Sequence, residues 1–146
     1  MTEDSKPWHA AFPPPRTTTP VITREEVLED LSSHDLLLVD VRRTDFEGGT
    51  IKGSLNLPAH SFYMNRAVLF DLCKRAGVKR VAFYCGSSNG RGPRCSGWFA
   101  DYIAEIGDSQ VQALTLGGGI KGWVKAGLPY TQRMEGFEPG YWTQFD

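Results

Sequence analysis

Cys85 and Arg91 stand six positions apart, and only small or polar residues lie between them: Gly86, Ser87, Ser88, Asn89 and Gly90. An apolar run, Val81-Ala82-Phe83-Tyr84, leads into Cys85, and Gly92, Pro93 and a helical pattern follow Arg91. A strand that ends in a cysteine, turns through small residues and re-enters as a helix makes an anion trap. Its loop N–H groups and the helix N-terminus converge on one point. The sulfur lies beneath that point, and the guanidinium can fork around whatever anion sits there. The same field favours a thiolate, which makes Cys85 a candidate nucleophile near neutral pH. Pro93 is expected at the first helical position, where its missing N–H costs nothing. The competing reading is an ordinary strand-to-helix turn around a buried, inert Cys85.

The rest of the chain sets the frame. Its 146 residues are enough for one domain with a proper core. A net charge of −1 offers no electrostatic footprint for nucleic acid or an anionic membrane. No apolar stretch reaches the roughly 20 residues of a transmembrane helix, and Met1–Pro20 lacks the apolar core of a secretory signal. The three cysteines are odd in number and irregularly spaced. That speaks against a disulfide framework and for a reducing compartment, with the cytoplasm expected and the nucleus left open. No histidine clusters with them as a zinc site would need, so no metal is expected.

Residues 1–19 are polar and proline-rich and read as an extended arm, with Trp8 and Phe12 available to pack on the domain. Thr23 and Glu26 form a capping box at the start of a helix over 23–33. Leu36-Leu37-Leu38-Val39 has the continuous apolar character of a strand buried on both faces. A short strand over 54–57 follows, then a helix over 62–76 with Phe62, Ala67, Leu69, Phe70, Leu72 and Cys73 as packing positions. Strands over 81–84 and 111–116 alternate with helices over 93–106 and 120–126. Residues 130–146 read as irregular and aromatic. Strands alternating with helices mean an α/β domain with a mostly parallel sheet. In such sheets ligands bind beyond the carboxyl ends of the strands, where Cys85 falls.

Three segments together resemble the rhodanese domain. They are Leu38-Val39-Asp40-Val41-Arg42 with Asp45-Phe46-Glu47-Gly48-Gly49-Thr50-Ile51-Lys52-Gly53-Ser54-Leu55-Asn56-Leu57-Pro58; the Cys85 loop; and Leu116-Gly117-Gly118-Gly119-Ile120-Lys121-Gly122-Trp123 through Gly127-Leu128-Pro129. The likeness spans residues 20–130, with the arm before it and an aromatic tail, 131–146, packed on or near the domain after it. It implies a single domain with a five-stranded, mostly parallel sheet and helices on both faces. Within that superfamily sulfurtransferases carry a shorter loop. The cell-division-cycle twenty-five type phosphatases and the fungal and eukaryotic arsenate reductases carry one residue more, which makes room for a tetrahedral oxyanion. Cys85 to Arg91 has the longer form. The chain departs from these relatives at Tyr84, where a His usually precedes the cysteine. It departs also at Gly86, where the cell-cycle phosphatases commonly have Glu, and at Val41, where they carry a protective cysteine.

The leading expectation is thiolate attack by Cys85 on a tetrahedral oxyanion held by Arg91 and the N–H groups of residues 86–91. The substrate would be a phosphoprotein or a small oxyanion such as arsenate. For arsenate the resemblance implies glutathione and glutaredoxin as reductants, glutaredoxin being then a protein partner; no bound cofactor is expected. A persulfide-carrying sulfurtransferase and a non-catalytic binding module are the alternatives. Asp40 is expected to brace backbone or an arginine more readily than to act as an acid. Glu135 and Glu138 are further acid candidates on the tail. Arg94 is read either as a second contact for an anion or as a solvated helix end. Cys95 is read as a packed small hydrophobe or a resolving thiol, and Cys73 and Trp123 as structural. The terminal aromatics serve packing or a substrate wall.

Overall fold

The computed structural model describes residues 7–44 and 46–146. Asp45 of the first motif and residues 1–6 of the arm lie outside the described residues. In chain order β1 (Val21–Ile22), α1 (Arg24–Asp30), β2 (Leu36–Asp40), β3 (Thr50–Ile51) and β4 (Leu55–Asn56) come first. Then follow α2 (Ala59–Phe62), α3 (Arg66–Ala76), β5 (Arg80–Tyr84), α4 (Arg91–Ile106) and β6 (Gln112–Leu116). α5 (Gly119–Lys125), α6 (Leu128–Thr131), β7 (Met134–Glu135) and α7 (Pro139–Trp142) complete the chain. Thr23 caps α1 by accepting the Glu26 N–H at 3.1 Å, and the Thr23 hydroxyl donates back to the Glu26 carboxylate at 3.1 Å.

Five strands form one parallel sheet in the order β1-β6-β5-β2-β4. β5 is its centre and is therefore hydrogen-bonded on both edges. Period-two alternation sends Val81 and Phe83 to one face and Ala82 and Tyr84 to the other. The first face packs on α2, α3 and α4 through Phe62, Leu69, Trp98 and Phe99. The second packs on α1 and α5 through Val27, Ile120 and Trp123. Helices on both faces of a parallel sheet match the expected α/β architecture, and no helix among the described residues is long and apolar enough to cross a membrane.

Several local expectations change. The helix expected over 62–76 is two helices, α2 and α3, joined by a 3₁₀ turn at Tyr63–Asn65. On α3 only one stripe meets the sheet, so Leu69 and Cys73 are buried while Ala67 and Leu72 face solvent. Residues 130–146 are not irregular. β7 pairs antiparallel with β3, matching Glu135 to Thr50 and Met134 to Ile51. The indole of Trp142 is buried and donates to the Gly48 carbonyl at 2.8 Å. Gly48, at φ +77°, has no room for a Cβ against Tyr141 and Trp142. Two-residue strands carry too little pattern to be read from sequence; it is the long-range pairing that makes them.

The N-terminal segment turns over residues 7–12 and then runs extended along α4. The Trp98 indole donates to the Pro13 carbonyl at 2.8 Å, and Asp101 accepts the Arg16 N–H at 2.7 Å and the Thr17 hydroxyl at 2.5 Å. Gly97 lets the backbones touch, because a Cβ there would lie 2.7 Å from the Thr17 carbonyl oxygen.

Three buried acids have their ionisation held back by the core. Burial pushes the Cys73 thiol up to about 11, and it raises the Cys95 thiol and the Tyr84 phenol too. The unfolded chain ionises its thiols first, so stability is full below the ordinary value of 9.0 and is lost as pH climbs toward about 11. Urea midpoints measured at mildly and strongly alkaline pH should fall, and Cys73→Ala should reduce the slope of that fall.

Candidate active site

The carboxyl end of β5 sits between those of β2 and β6, and Cys85 is the next residue. Its side chain is 3% exposed, at the floor of the turn. The Gly92 N–H, on the first turn of α4, donates to Cys85 Sγ at 3.3 Å. Gly92 also lets the helix approach the strand, since a Cβ there would stand 3.3 Å from Tyr84 Cα. Ser88 takes a left-handed backbone, φ +61°, a conformation that a non-glycine residue holds at some cost and that concentrates at functional sites. Its buried hydroxyl has no hydrogen-bond partner among the described residues. Buried orphan hydroxyls of this kind are rare in packed interiors.

α4 begins at Arg91 with Gly90 as its cap, two residues earlier than expected. Pro93 is thus at the third helical position, not the first. It is tolerated there because the first-turn N–H groups have no intrahelical acceptor. The earlier start puts Arg91 itself on the helix and aims the Gly92 N–H at the sulfur.

A second turn clamps the loop from below. At the start of α5, the Ile120 N–H donates to the Cys85 carbonyl at 3.1 Å and the Lys121 N–H to the Gly86 carbonyl at 3.0 Å. Just before them Gly119 has φ +60°, and a Cβ would fall 2.6 Å from the Cys85 carbonyl oxygen. The glycine run after β6 is therefore the lock that fixes the two carbonyls, which leaves the loop N–H groups free to turn inward.

Over Cys85 opens a cavity of about 490 Å³, within the usual range for small-ligand sites. Of the expected site residues, Cys85, Gly86, Ser87, Gly90 and Arg91 line it. Ser88 and Asn89 do not; they face a separate cavity beside the N-terminal segment. Arg94 lines that second cavity, with its guanidinium 6.0 Å from the centre of the Trp98 ring. Glu135 and Glu138 sit exposed on β7 and before α7, and neither reaches the lining.

Two cations were not foreseen. Lys121 crosses the loop, its Cε 3.6 Å from where a Cβ on Gly86 would be, while Arg91 Nη2 lies 4.0 Å from the same point. Two cations thus flank one glycine. The Lys121 ammonium rests 4.4 Å from the Phe145 ring centre, a contact that orients it. Arg42 is the second unforeseen cation, 1% exposed and on the cavity wall. Its Nε and Nη2 form a fork onto Asp40 at 3.0 and 2.7 Å, and Nη2 also donates to the Gly49 carbonyl at 2.8 Å. Asp40 is fully buried, accepts the Thr50 hydroxyl at 2.9 Å as well, and so braces an arginine. Aromatic walls complete the lining: Tyr141 and Phe145 from the tail, whose aromatics were read as packing or a substrate wall, and Trp8 from the N-terminal segment, which was read only as packing on the domain. The aromatic residues were visible in sequence, but their meeting over Cys85 depends on the fold.

Tyr84 lies beside this network, where its hydroxyl bonds Thr50 Oγ1 at 2.8 Å and Ser54 Oγ at 2.7 Å and accepts the Ile51 N–H at 3.3 Å. It ties β3 to the central strand. Cys95 is fully buried in the same core cluster as Cys85, and the loss of water around it raises its thiol.

A family model described as "Rhodanese-like domain" matches residues 23–126. Among solved structures the fold is similar to yeast Ygr203w, described as a protein tyrosine phosphatase of the rhodanese family. That match has TM-score 0.70 and 23% identity over 86% of this chain and 98% of the other. The As-Sb reductase of Leishmania major matches with TM-score 0.62 and 22% identity over 74% of this chain and 78% of the other. A thiosulfate sulfurtransferase of Pseudomonas aeruginosa matches with TM-score 0.54 and 23% identity, over 82% of this chain and 21% of the other. No curated protein matches the sequence.

Removing one member of a buried charge pair strands the other, at a cost of about 3–5 kcal/mol. Asp40→Ala should lose that much in urea-melt stability, and Asp40→Asn, which keeps acceptor capacity, should lose less.

Proposed function

The chain belongs to the rhodanese-like domain family, and on that scaffold we propose that it is a cysteine-dependent phosphomonoesterase. Cys85 is the nucleophile and Arg91 the principal anion ligand. The observation that carries this reading is the Cys85–Arg91 turn, with five residues inside it, a sulfur that accepts the Gly92 N–H at 3.3 Å and an arginine on the first turn of α4.

Such a turn suits a tetrahedral oxyanion. The thiolate sulfur attacks phosphorus in line, the S–P bond forms and the P–O bond to the leaving group breaks. The departing oxygen takes its proton from solvent. Water then attacks the phosphocysteine, which releases orthophosphate and returns the thiolate. Charge on the equatorial oxygens is met by the loop N–H groups, Arg91 and the N-terminus of α4. Arg91 and Lys121 bring positive charge to the cavity in a chain of net charge −1, while the charge of Arg42 is balanced by Asp40; that field focuses anions onto the sulfur. Tyrosine phosphate on a protein is one substrate compatible with this chemistry.

Arsenate has the same shape and charge, so arsenate reduction through the same turn is the second reading. There the sulfur displaces water from arsenate, and glutathione thiols, with glutaredoxin as protein partner, supply the two electrons that take As(V) to As(III). A persulfide carrier is disfavoured by the length of the turn, which is wider than one sulfur atom needs. The cytoplasm, with the nucleus open, is the proposed place of action, since a thiolate enzyme needs a reducing compartment.

Purified protein should hydrolyse 4-nitrophenyl phosphate, and Cys85→Ser should abolish that activity. Arg91→Ala should lower kcat/KM by on the order of a hundredfold or more, as expected for loss of an oxyanion ligand. Absence of turnover in the unaltered protein would falsify the hydrolase reading. Arsenate-dependent oxidation of glutathione and sulfur transfer from thiosulfate would then decide between the remaining chemistries.

A further inference from the structure

The cavity over Cys85 has walls contributed by both ends of the chain. Trp8 comes from the N-terminal segment, and Tyr141 and Phe145 come from the tail. The turn forms its hydrogen bonds without any of them.

Trp8 is held in place before any ligand arrives. Its ring lies 4.7 Å from that of His60, tilted by 35°, and meets Trp98 edge-on at 6.0 Å. The segment behind it is secured to α4. Phe12 stacks on Tyr63 at 4.7 Å, the Trp98 indole holds the Pro13 carbonyl at 2.8 Å, and Asp101 holds Arg16 and Thr17. Thr19, Ser96 and Thr115 close the run with a buried set of hydroxyl contacts at 2.7 to 2.9 Å. So much anchoring for one half-buried indole at the cavity mouth exceeds what a solvated tail needs.

We propose that Trp8 is a specificity-determining residue: with Phe145 and Tyr141 it forms an aromatic slot over Cys85 that takes the ring of an aryl phosphomonoester. The proposal rests on the phosphomonoesterase reading of the same site and names its substrate class. Flat walls on a rigid anchor favour a flat guest, because aromatic rings gain from offset and edge-on contact beyond the area they bury and because no ordering of the wall is needed on binding. The leaving group points the same way. Among the described residues the lining holds no Asp, Glu or His. A phenol with pKa about 10 departs with far less help from an acid than an alcohol does.

The test separates the slot from the chemistry by reading binding without turnover. In Cys85→Ser protein, calorimetry with phenyl phosphate and methyl phosphate should show phenyl phosphate bound about tenfold more tightly. Adding Trp8→Ala should collapse that ratio to within about twofold, while Trp8→Phe should keep most of it. Gly97→Val, which drives a side chain into the backbone of the segment behind Trp8, should resemble Trp8→Ala. The proposal fails if neither ligand binds, if the ratio is near one from the start, or if Trp8→Ala leaves the ratio unchanged. It also fails if the ratio survives while both affinities drop in parallel, which would mark Trp8 as a brace for the turn. A Trp8-dependent preference in a protein that hydrolyses nothing would defeat the hydrolase reading and leave the slot standing.

Discussion

The first N–H groups of the helix that follows Cys85 have no acceptor inside that helix. One of them, on Gly92, is met by the cysteine sulfur. The others are suited to oxygens of a guest, and the positive end of a helix of 16 residues lies behind them. This demand for negative charge organises the rest of the site. β5 must be central so that its end is rigid, Gly92 must be bare so that the helix can come close, and the carbonyls of Cys85 and Gly86 must be turned away from the cavity. The last condition is met by the start of α5, whose two N–H groups hold both carbonyls.

A positive site in a small domain needs its cations held against one another. Arg42 is kept by Asp40, which in turn accepts Thr50, and Thr50 bonds the hydroxyl of Tyr84 on the central strand. Most of the partners in this chain are buried, so each charge or hydroxyl must be satisfied by the next. Tyr84 holds the position where the resemblance implies a histidine. In this chain its hydroxyl supports β3 and so the tail that pairs with it. The tyrosine therefore acts on the scaffold behind the cysteine.

The two ends of the chain meet at the mouth of the cavity but are fixed by different forces. The N-terminal segment depends on side chains of α4 and on the missing Cβ of Gly97. The tail depends on a two-residue ribbon with β3 and on the buried Trp142. Neither fixing draws on the hydrogen bonds of the Cys85 turn. Binding preference can then vary with the ends while the reactive centre stays the same, which is the usual relation between a rigid scaffold and the segments laid across it.

Much of the site was legible in the sequence because its logic is local. Cys85, the small residues after it and Arg91 are consecutive, so strand, turn and helix could be read from one stretch. The apolar runs of β2 and β5 and the capping residue Thr23 belong to the same class, since period and turn chemistry are properties of neighbours. The start of α4 was misplaced by two residues because Pro93 is acceptable at any position of the first turn, and its place was chosen by the approach of Gly92 to Tyr84. The ribbon of β3 and β7, the crossing of Lys121 over Gly86 and the placing of Trp8 and Phe145 on one cavity were decided by tertiary structure alone. Each joins residues far apart in the chain through pairing or packing, and two-residue strands and single side chains carry no periodic signal of where they will go. The sequence by itself determined the cysteine, the arginine and the five small or polar residues between them. The folded chain decided which charges surround that group and what walls stand above it, because those are matters of distance in space.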